Sequence, residues 1–318
     1  MKFGLIGLGN MGRAIAEHAV EEGIEVVAYN RTTSKAEDFV RSNPGAVTAK
    51  TLQDLVNNLE SPRILWLMVS AGKPVQDILF GSSETKPGFK SKKSPALSEL
   101  LEKGDIVVNA VNSHYKDSQQ DSEKLAKMGI HYLDVGTSGG LEGARTGACF
   151  MIGGPEEAYI KIRSLFKALS YEHKGYAYFG PSGSGHLVKM VHNGIEYAMM
   201  QSIAEGVNML DKHPLKPDLV KATKVWNQGS IIQSNLVGWL NKALSSDPDL
   251  KDTPAEVGSL GTGDWTVKEA MELGVPVPNI ANAVFNRYQS RDKESIAYRI
   301  VQALRSQFGG HTPFERPT

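Results

Sequence analysis

Six residues near the N-terminus restrict the fold more than any other part of the chain. Gly7-Leu8-Gly9-Asn10-Met11-Gly12 follows directly on an apolar run, Lys2–Ile6, and opens a helical pattern over Met11–Glu22. In that strand–turn–helix setting, G-x-G-x-x-G is a phosphate-binding turn. The first glycine permits the tight turn, and the second lets the backbone approach a pyrophosphate. The third lets helix and strand pack closely, with the helix N-terminus facing the negative charge. Alone the pattern is weak. Here a second strand, Glu25–Tyr29, follows and ends at the expected distance.

The same alternation continues. Arg63–Val69, Asp105–Asn109 and His131–Val135 read as further strands, with helical patterns over Ser34–Ser42, Thr51–Leu59 and Tyr115–Lys127 between them. Strands alternating with helices imply right-handed βαβ units and a mostly parallel sheet. Thr146–Ile152, Glu156–Leu169 and Tyr176–Phe179 extend this layer. From about Gly183 strand patterns stop, and helix-length stretches follow: Ser184–Leu210, Pro217–Asn227, Ile231–Leu244, Thr266–Leu273, Ile280–Arg291 and Lys293–Phe308. The fold class expected is therefore an α/β Rossmann-like N-terminal domain, residues 1–182, with a C-terminal all-α domain, residues 183–318. Ser182-Gly183-Ser184 is the expected junction. A length of 318 residues fits two cores better than one. Gly81–Pro95, with four lysines among Ser, Gly and Pro, reads as an exposed surface loop rather than an anion contact.

Charge and cysteine usage narrow the partners. Lys plus Arg and Asp plus Glu are each 35, so nothing electrostatic points to nucleic acid or an anionic membrane. An anionic ligand must be held by a local cluster of cations. The one cysteine, Cys149, excludes an internal disulfide, fits a reducing compartment and reads as a small buried apolar residue. The start, Met1-Lys2-Phe3-Gly4, has no signal-peptide pattern, and no apolar run reaches membrane-spanning length. A cytoplasmic location is expected, and no metal site.

The second strand ends in Tyr29-Asn30-Arg31-Thr32-Thr33-Ser34-Lys35. An NAD site usually carries Asp or Glu here for the ribose hydroxyls; this position has no carboxylate. Arg31 can instead stack on adenine and pair with a 2′-phosphate, with Asn30, Thr32 and Lys35 adding donors. The bland alternative is a pair of solvated cations. Two cations at a helix start oppose the macrodipole, which favours a ligand. NADP is expected.

The most informative segment is Gly185-His186-Leu187-Val188-Lys189-Met190-Val191-His192-Asn193-Gly194-Ile195-Glu196-Tyr197. On a helix Lys189, Asn193 and Glu196 stand at i, i+4 and i+7 and share one face. Lysine and glutamate so spaced are usually an exposed ion pair. Asn193 and Gly194 argue otherwise, because both weaken a helix unless packing or a ligand compensates. A lysine shielded from water can take a proton from a hydroxyl. Earlier, Asp134-Val135-Gly136-Thr137-Ser138-Gly139-Gly140 presents a hydroxyl and bare backbone N–H groups after a strand; a plain loop is its competitor.

Together these segments, with NRTTSK, Asn112-Ser113, TSGGLEGARTG, GTGDWT, ELGVPVP and FGGHT, resemble the decarboxylating 6-phosphogluconate dehydrogenases, in order across nearly the whole chain. The resemblance implies an NADP-dependent oxidative decarboxylation of 6-phosphogluconate to ribulose 5-phosphate. Lys189 would be general base, Glu196 general acid, and Asn193 a catalytic partner. Asn112, Ser138, Gly139, Gly140 and His192 would orient the sugar acid, and Tyr197 and Arg287 would hold its phosphate. Arg305 and His311 match tail residues that reach a neighbouring subunit's site, so a homodimer is implied, with the substrate in the cleft between domains. The cofactor would contact Gly7, Leu8, Gly9, Asn10, Met11, Gly12, Asn30, Arg31, Thr32, Lys35, Val69, Ala71 and Asn112.

Two departures stand out. Leu260 lies where the family carries a phosphate-binding lysine, and Asp264 replaces another cation. The usual Asp-Gly-Gly-Asn-Ser is here Asn109-Ala110-Val111-Asn112-Ser113. The alternatives are therefore a dehydrogenase, decarboxylating or simple, of another aldonate or β-hydroxyacid, and a non-catalytic NADP-binding regulator.

Overall fold

The computed structural model describes residues 1–81, 95–293 and 295–309, so most of the lysine-bearing loop and His311 lie outside the described residues. Its strands are β1 (Lys2–Ile6), β2 (Glu25–Tyr29), β3 (Val47–Ala49), β4 (Ile64–Leu67), β5 (Ile106–Asn109), β6 (His131–Ser138), β7 (Cys149–Gly153) and β8 (Tyr176–Tyr178). Among them run α1 (Asn10–Glu21), α2 (Thr33–Ser42), α3 (Leu52–Asn57), α4 (Lys73–Phe80), α5 (Leu97–Leu100), α6 (Tyr115–Ala126), α7 (Gly140–Thr146) and α8 (Glu156–Leu169). Among the described residues only helices follow: α9 (Ser184–Lys212), α10 (Leu219–Trp226), α11 (Asn235–Ser246), α12 (Thr262–Glu272), α13 (Pro278–Arg291) and α14 (Ala297–Gly309). The chain is thus an α/β Rossmann-like layer followed by an all-α part.

The strands form one sheet in the order β3-β2-β1-β4-β5-β6-β7-β8. Every pairing is parallel except β6 with β7. The order reverses direction between β1 and β4, the crevice where open α/β sheets bind nucleotides. Central strands read as unbroken apolar runs because helices cover both of their faces: all of Ile64–Leu67 and Ile106–Asn109 is buried. On one face Trp66 packs its ring against Phe3, Phe150 and Phe166 at 6.0, 5.6 and 5.5 Å between centroids. Tilted and edge-on ring pairs of this kind add about 0.5–1.5 kcal/mol each beyond area burial. The other face is aliphatic, built on Ile6, Val27, Leu65, Leu67 and Val107.

Differences from the sequence expectation have local causes. β3 has three residues and α5 four, too short for any periodicity to register. The expected strand over Thr146–Ile152 begins only at Cys149, because Gly140–Thr146 is helical. Gly139 starts that helix at φ 120° and Gly147 stops it at φ 117°, conformations open to glycine. Cys149 is exposed, not buried. It pairs with Ser138 at the last rung of the β6–β7 ladder.

Contacts divide the chain into two compact units, Met1–His192 and Asn193–Thr318, so that α9 begins in the first and ends in the second. The second unit has a small buried core of Tyr197, Ala283 and Val284. No helix among the described residues is long and apolar enough to cross a membrane.

Candidate active site

The fingerprint turn is shaped by close approach. A Cβ on Gly7 would lie 2.5 Å from the Met68 carbonyl oxygen, and one on Gly12 would lie 2.0 Å from the Gly7 carbonyl oxygen. Around Gly9 nothing lies within 4 Å of that position. Gly7 and Gly12 are thus demanded by packing, while Gly9 leaves backbone open to an incoming group. Neither a side-chain cap nor an acidic residue occupies the first turn of α1. Its N–H groups and the positive end of its dipole therefore suit a pyrophosphate.

Leu8 donates its N–H to Asn30 Oδ1 at 3.0 Å, Asn30 donates to the Thr32 carbonyl at 3.0 Å, and Gly7 donates to the Tyr29 carbonyl at 2.9 Å. Asn30 thereby fastens the end of β2 to the turn, a structural task in addition to the contact expected of it. Asn10, Arg31, Thr32 and Lys35 are exposed beside this turn, and Met11 is half-buried. Val69 abuts Gly7, and Ala71 is exposed in the loop after β4.

At the end of β5, Asn109 replaces the usual acid and braces the turn bearing half-buried Asn112. Its amide donates to the Tyr132 hydroxyl at 2.7 Å and to Ser113 Oγ at 3.3 Å, and its Oδ1 accepts the Val111 N–H at 3.1 Å. A neutral amide serves here because both a donor and an acceptor are needed.

At the end of β6, Ser138 Oγ lies 3.0 Å from His192 Nε2, and His192 Nδ1 lies 3.4 Å from Lys189 Nζ. Lys189 is only 8% exposed. Ser138, His192 and Lys189 therefore form one hydrogen-bonded chain, with Gly139 and Gly140, both at positive φ, beside it. Asp134, fully buried, accepts the backbone N–H groups of Gly183 and His186 at the start of α9. Burial pushes the His186 imidazole below its ordinary value, against the raising influence of Asp134.

In the second unit, α9 continues helically through Asn193-Gly194 as expected. A Cβ on Gly194 would lie 2.7 Å from Thr266 Cγ2, so close packing of α12 accounts for the glycine. Asn193 is buried and Glu196 half-buried. The Arg287 guanidinium lies 3.5 Å above the Tyr197 ring centroid and donates to the Gly258 carbonyl at 2.8 Å. Tyr197 Oη lies 3.3 Å from Ser259 Oγ, which accepts the Gly261 N–H at 3.1 Å and donates to Asp264 Oδ2 at 3.4 Å. Leu260 is 84% exposed. Arg305 is exposed on α14. Ser259, Asn109 and Asp134 were not singled out for any role from the sequence. For Asp134 the available signal was its alternation with Gly136 and Ser138 along one strand.

Residues 2–180 match the family model of the NAD binding domain of 6-phosphogluconate dehydrogenase, and residues 185–299 match that of the 6-phosphogluconate dehydrogenase C-terminal domain. A Bacillus subtilis (strain 168) relative, YqeC, whose name gives it this activity only provisionally, is 41% identical over 98% of each chain. An NAD(+)-dependent, decarboxylating 6-phosphogluconate dehydrogenase of Haloferax volcanii is 37% identical, again over 98% of each. A Plasmodium falciparum 6-phosphogluconate dehydrogenase, solved with its cofactor NADP+ and with its substrate 6-phosphogluconate, superposes with a TM-score of 0.80 at 31% identity. That match covers 100% of this chain and 67% of the Plasmodium chain.

Proposed function

The chain belongs to the 6-phosphogluconate dehydrogenase family, and from that premise we propose that it converts 6-phosphogluconate, with NADP, into ribulose 5-phosphate and carbon dioxide. The observation that carries the proposal is the hydrogen-bonded chain from Ser138 on β6 through His192 to the buried Lys189, on the helix that also bears Asn193 and Glu196. NADP, when bound, supplies the acceptor for the hydride leaving C3. Lys189 takes the C3 hydroxyl proton and then, as an ammonium, polarises the new carbonyl, so that the β-keto acid loses carbon dioxide. Glu196 returns a proton to C1 of the resulting enediol. Asn193, Asn112, Ser138, His192 and the bare N–H groups at Gly139 and Gly140 orient the sugar acid. The test is parallel measurement of NADPH and carbon dioxide from 6-phosphogluconate, with gluconate and NAD as controls. Stoichiometric carbon dioxide is expected; NADPH without it would leave a simple dehydrogenase.

Relatives differ in cofactor: the Haloferax enzyme is NAD(+)-dependent by name, whereas the Plasmodium enzyme holds NADP+. NADP is favoured here because exposed Arg31, flanked by Asn30 and Thr32, stands where an NAD site needs a carboxylate. Arg31→Gln is expected to raise the KM for NADP about tenfold, the loss of one charge-assisted contact, and to leave that for NAD unchanged. Equal shifts for both cofactors would remove the 2′-phosphate from the reading.

A homodimer is proposed with this function. The second unit leaves Ile231, Leu215, Met271 and Leu273 at least 68% exposed, and contact with a second copy would take such side chains out of water. Sedimentation is expected to give a dimer at catalytic concentrations, and a fully active monomer would contradict it. Leu260 and Asp264 favour one second reading, the same chemistry on an aldonate without a 6-phosphate.

A further inference from the structure

β6 and α9 meet in three rungs. Strand alternation puts Asp134, Gly136 and Ser138 on one face of β6. Three-residue steps put His186, Lys189 and His192 along one side of α9. On the first rung the Asp134 carboxylate accepts the Gly183 N–H at 2.7 Å and the His186 N–H at 2.8 Å. On the second, a Cβ at Gly136 would lie 2.3 Å from Lys189 Cβ, so the lysine's stem occupies the space a side chain would fill. On the third, Ser138 Oγ meets His192 Nε2 at 3.0 Å. β7 closes the seat: a Cβ at Gly153 would lie 2.6 Å from the Gly185 nitrogen, and one at Gly185 would lie 2.5 Å from the Met151 carbonyl oxygen.

We infer that Asp134 is a positioning residue for the reaction, fixing through α9 the height at which Lys189 stands over the sheet. The inference rests on Lys189 being the base. A helix's first N–H groups lack partners within the helix, and a buried carboxylate is their strongest acceptor. Asp134 binds two of them, one in the turn entering α9 and one on its third residue, so the helix can neither slide nor rotate without losing a charge-assisted bond. Two further contacts hold the same register. Gly136 lets the lysine pass close, and His186 Nδ1 lies 2.6 Å from Ser118 Oγ on α6. A one-residue shift, about 100° of rotation, would break every rung together and carry Lys189 off the site. Proton abstraction is sensitive to such displacement, whereas the cofactor turn, which follows β1 three strands from β6 in the sheet order, is not.

Asp134→Asn turns one acceptor oxygen into an NH2 facing a backbone N–H, and Gly136→Ala moves only the lysine rung. Each variant is compared with wild type by NADP titration, thermal melting and steady-state turnover of 6-phosphogluconate and its C3-deuterated form. For both, NADP affinity and the sugar-acid KM are expected within about threefold of wild type, with kcat at least about tenfold lower. The deuterium effect on kcat should rise, as the C3 step becomes limiting. A folded variant of either kind with wild-type kcat and isotope effect overturns the inference. So does loss of folding in both, because the rungs would then serve the fold and not the lysine. An inactive wild type would instead sink the functional proposal.

Discussion

Lys189→Met is expected to lower kcat for 6-phosphogluconate by about 10²–10⁴-fold, the span that removal of a positioned general base produces. Methionine keeps the length of the stem and its fit beside Gly136, so the loss reports on the amine rather than on packing. Lys189 is buried and lies within 3.4 Å of His192 Nδ1, which in turn reaches Ser138, so the amine is held and not free to swing. Lys189→Arg should be nearly as damaging, because a guanidinium stays protonated at every working pH and cannot accept the C3 proton. NADP titration should give unchanged affinity in both variants. If Lys189→Met retained more than about a tenth of wild-type turnover, His192 would be the base and Lys189 its electrostatic partner. That outcome would preserve the residues of the site and exchange their roles.

What the sequence disclosed, and what it withheld, divides along physical lines. The fingerprint was legible because three glycines in a fixed pattern answer steric demands, two of which the structure locates at Met68 and Gly7. Continuation of α9 through Asn193-Gly194 was legible because the apolar period outlasts two poor helix formers. The reason for Gly194, the approach of Thr266, was not, since that contact joins residues 72 positions apart. Asp134 went unread for the same reason: a carboxylate at a strand centre looks anomalous until the helix end it satisfies has been placed there. α7 was hidden by its glycines, which advertise a turn while also starting and stopping a short helix. Cys149 departs from the expectation because burial statistics describe residue types, and this one sits exposed at the last rung of a ladder.

Leu260→Lys carries the other large expectation, and it bears on the substrate. Tyr197, Arg287 and Ser259 converge in the second unit, where Tyr197 and Arg287 are the residues proposed to hold the phosphate, yet the neighbouring side chain, Leu260, is apolar and 84% exposed. Asp264 sits in the first turn of α12 and accepts the Ser259 hydroxyl hydrogen bond, so the one charge it adds is negative. Arg287 is therefore the only cation that the hydrogen bonds and ring contacts of this cluster supply among the described residues. A lysine at position 260 restores a charge-assisted contact worth about 1.5–3 kcal/mol. The KM for 6-phosphogluconate should then fall about ten- to a hundredfold with kcat little changed, since a contact made equally in ground and transition states alters binding alone. Gluconate, which has no phosphate, should gain nothing. If 6-phosphogluconate binds no better to the variant, the wild-type subsite already neutralises the dianion with cations from elsewhere, and Leu260 is a tolerated replacement. If wild type prefers gluconate and the variant reverses that order, the subsite has been retuned to an unphosphorylated acid. In that case Lys189 and Glu196 keep their proposed chemistry, and only the group at C6 changes.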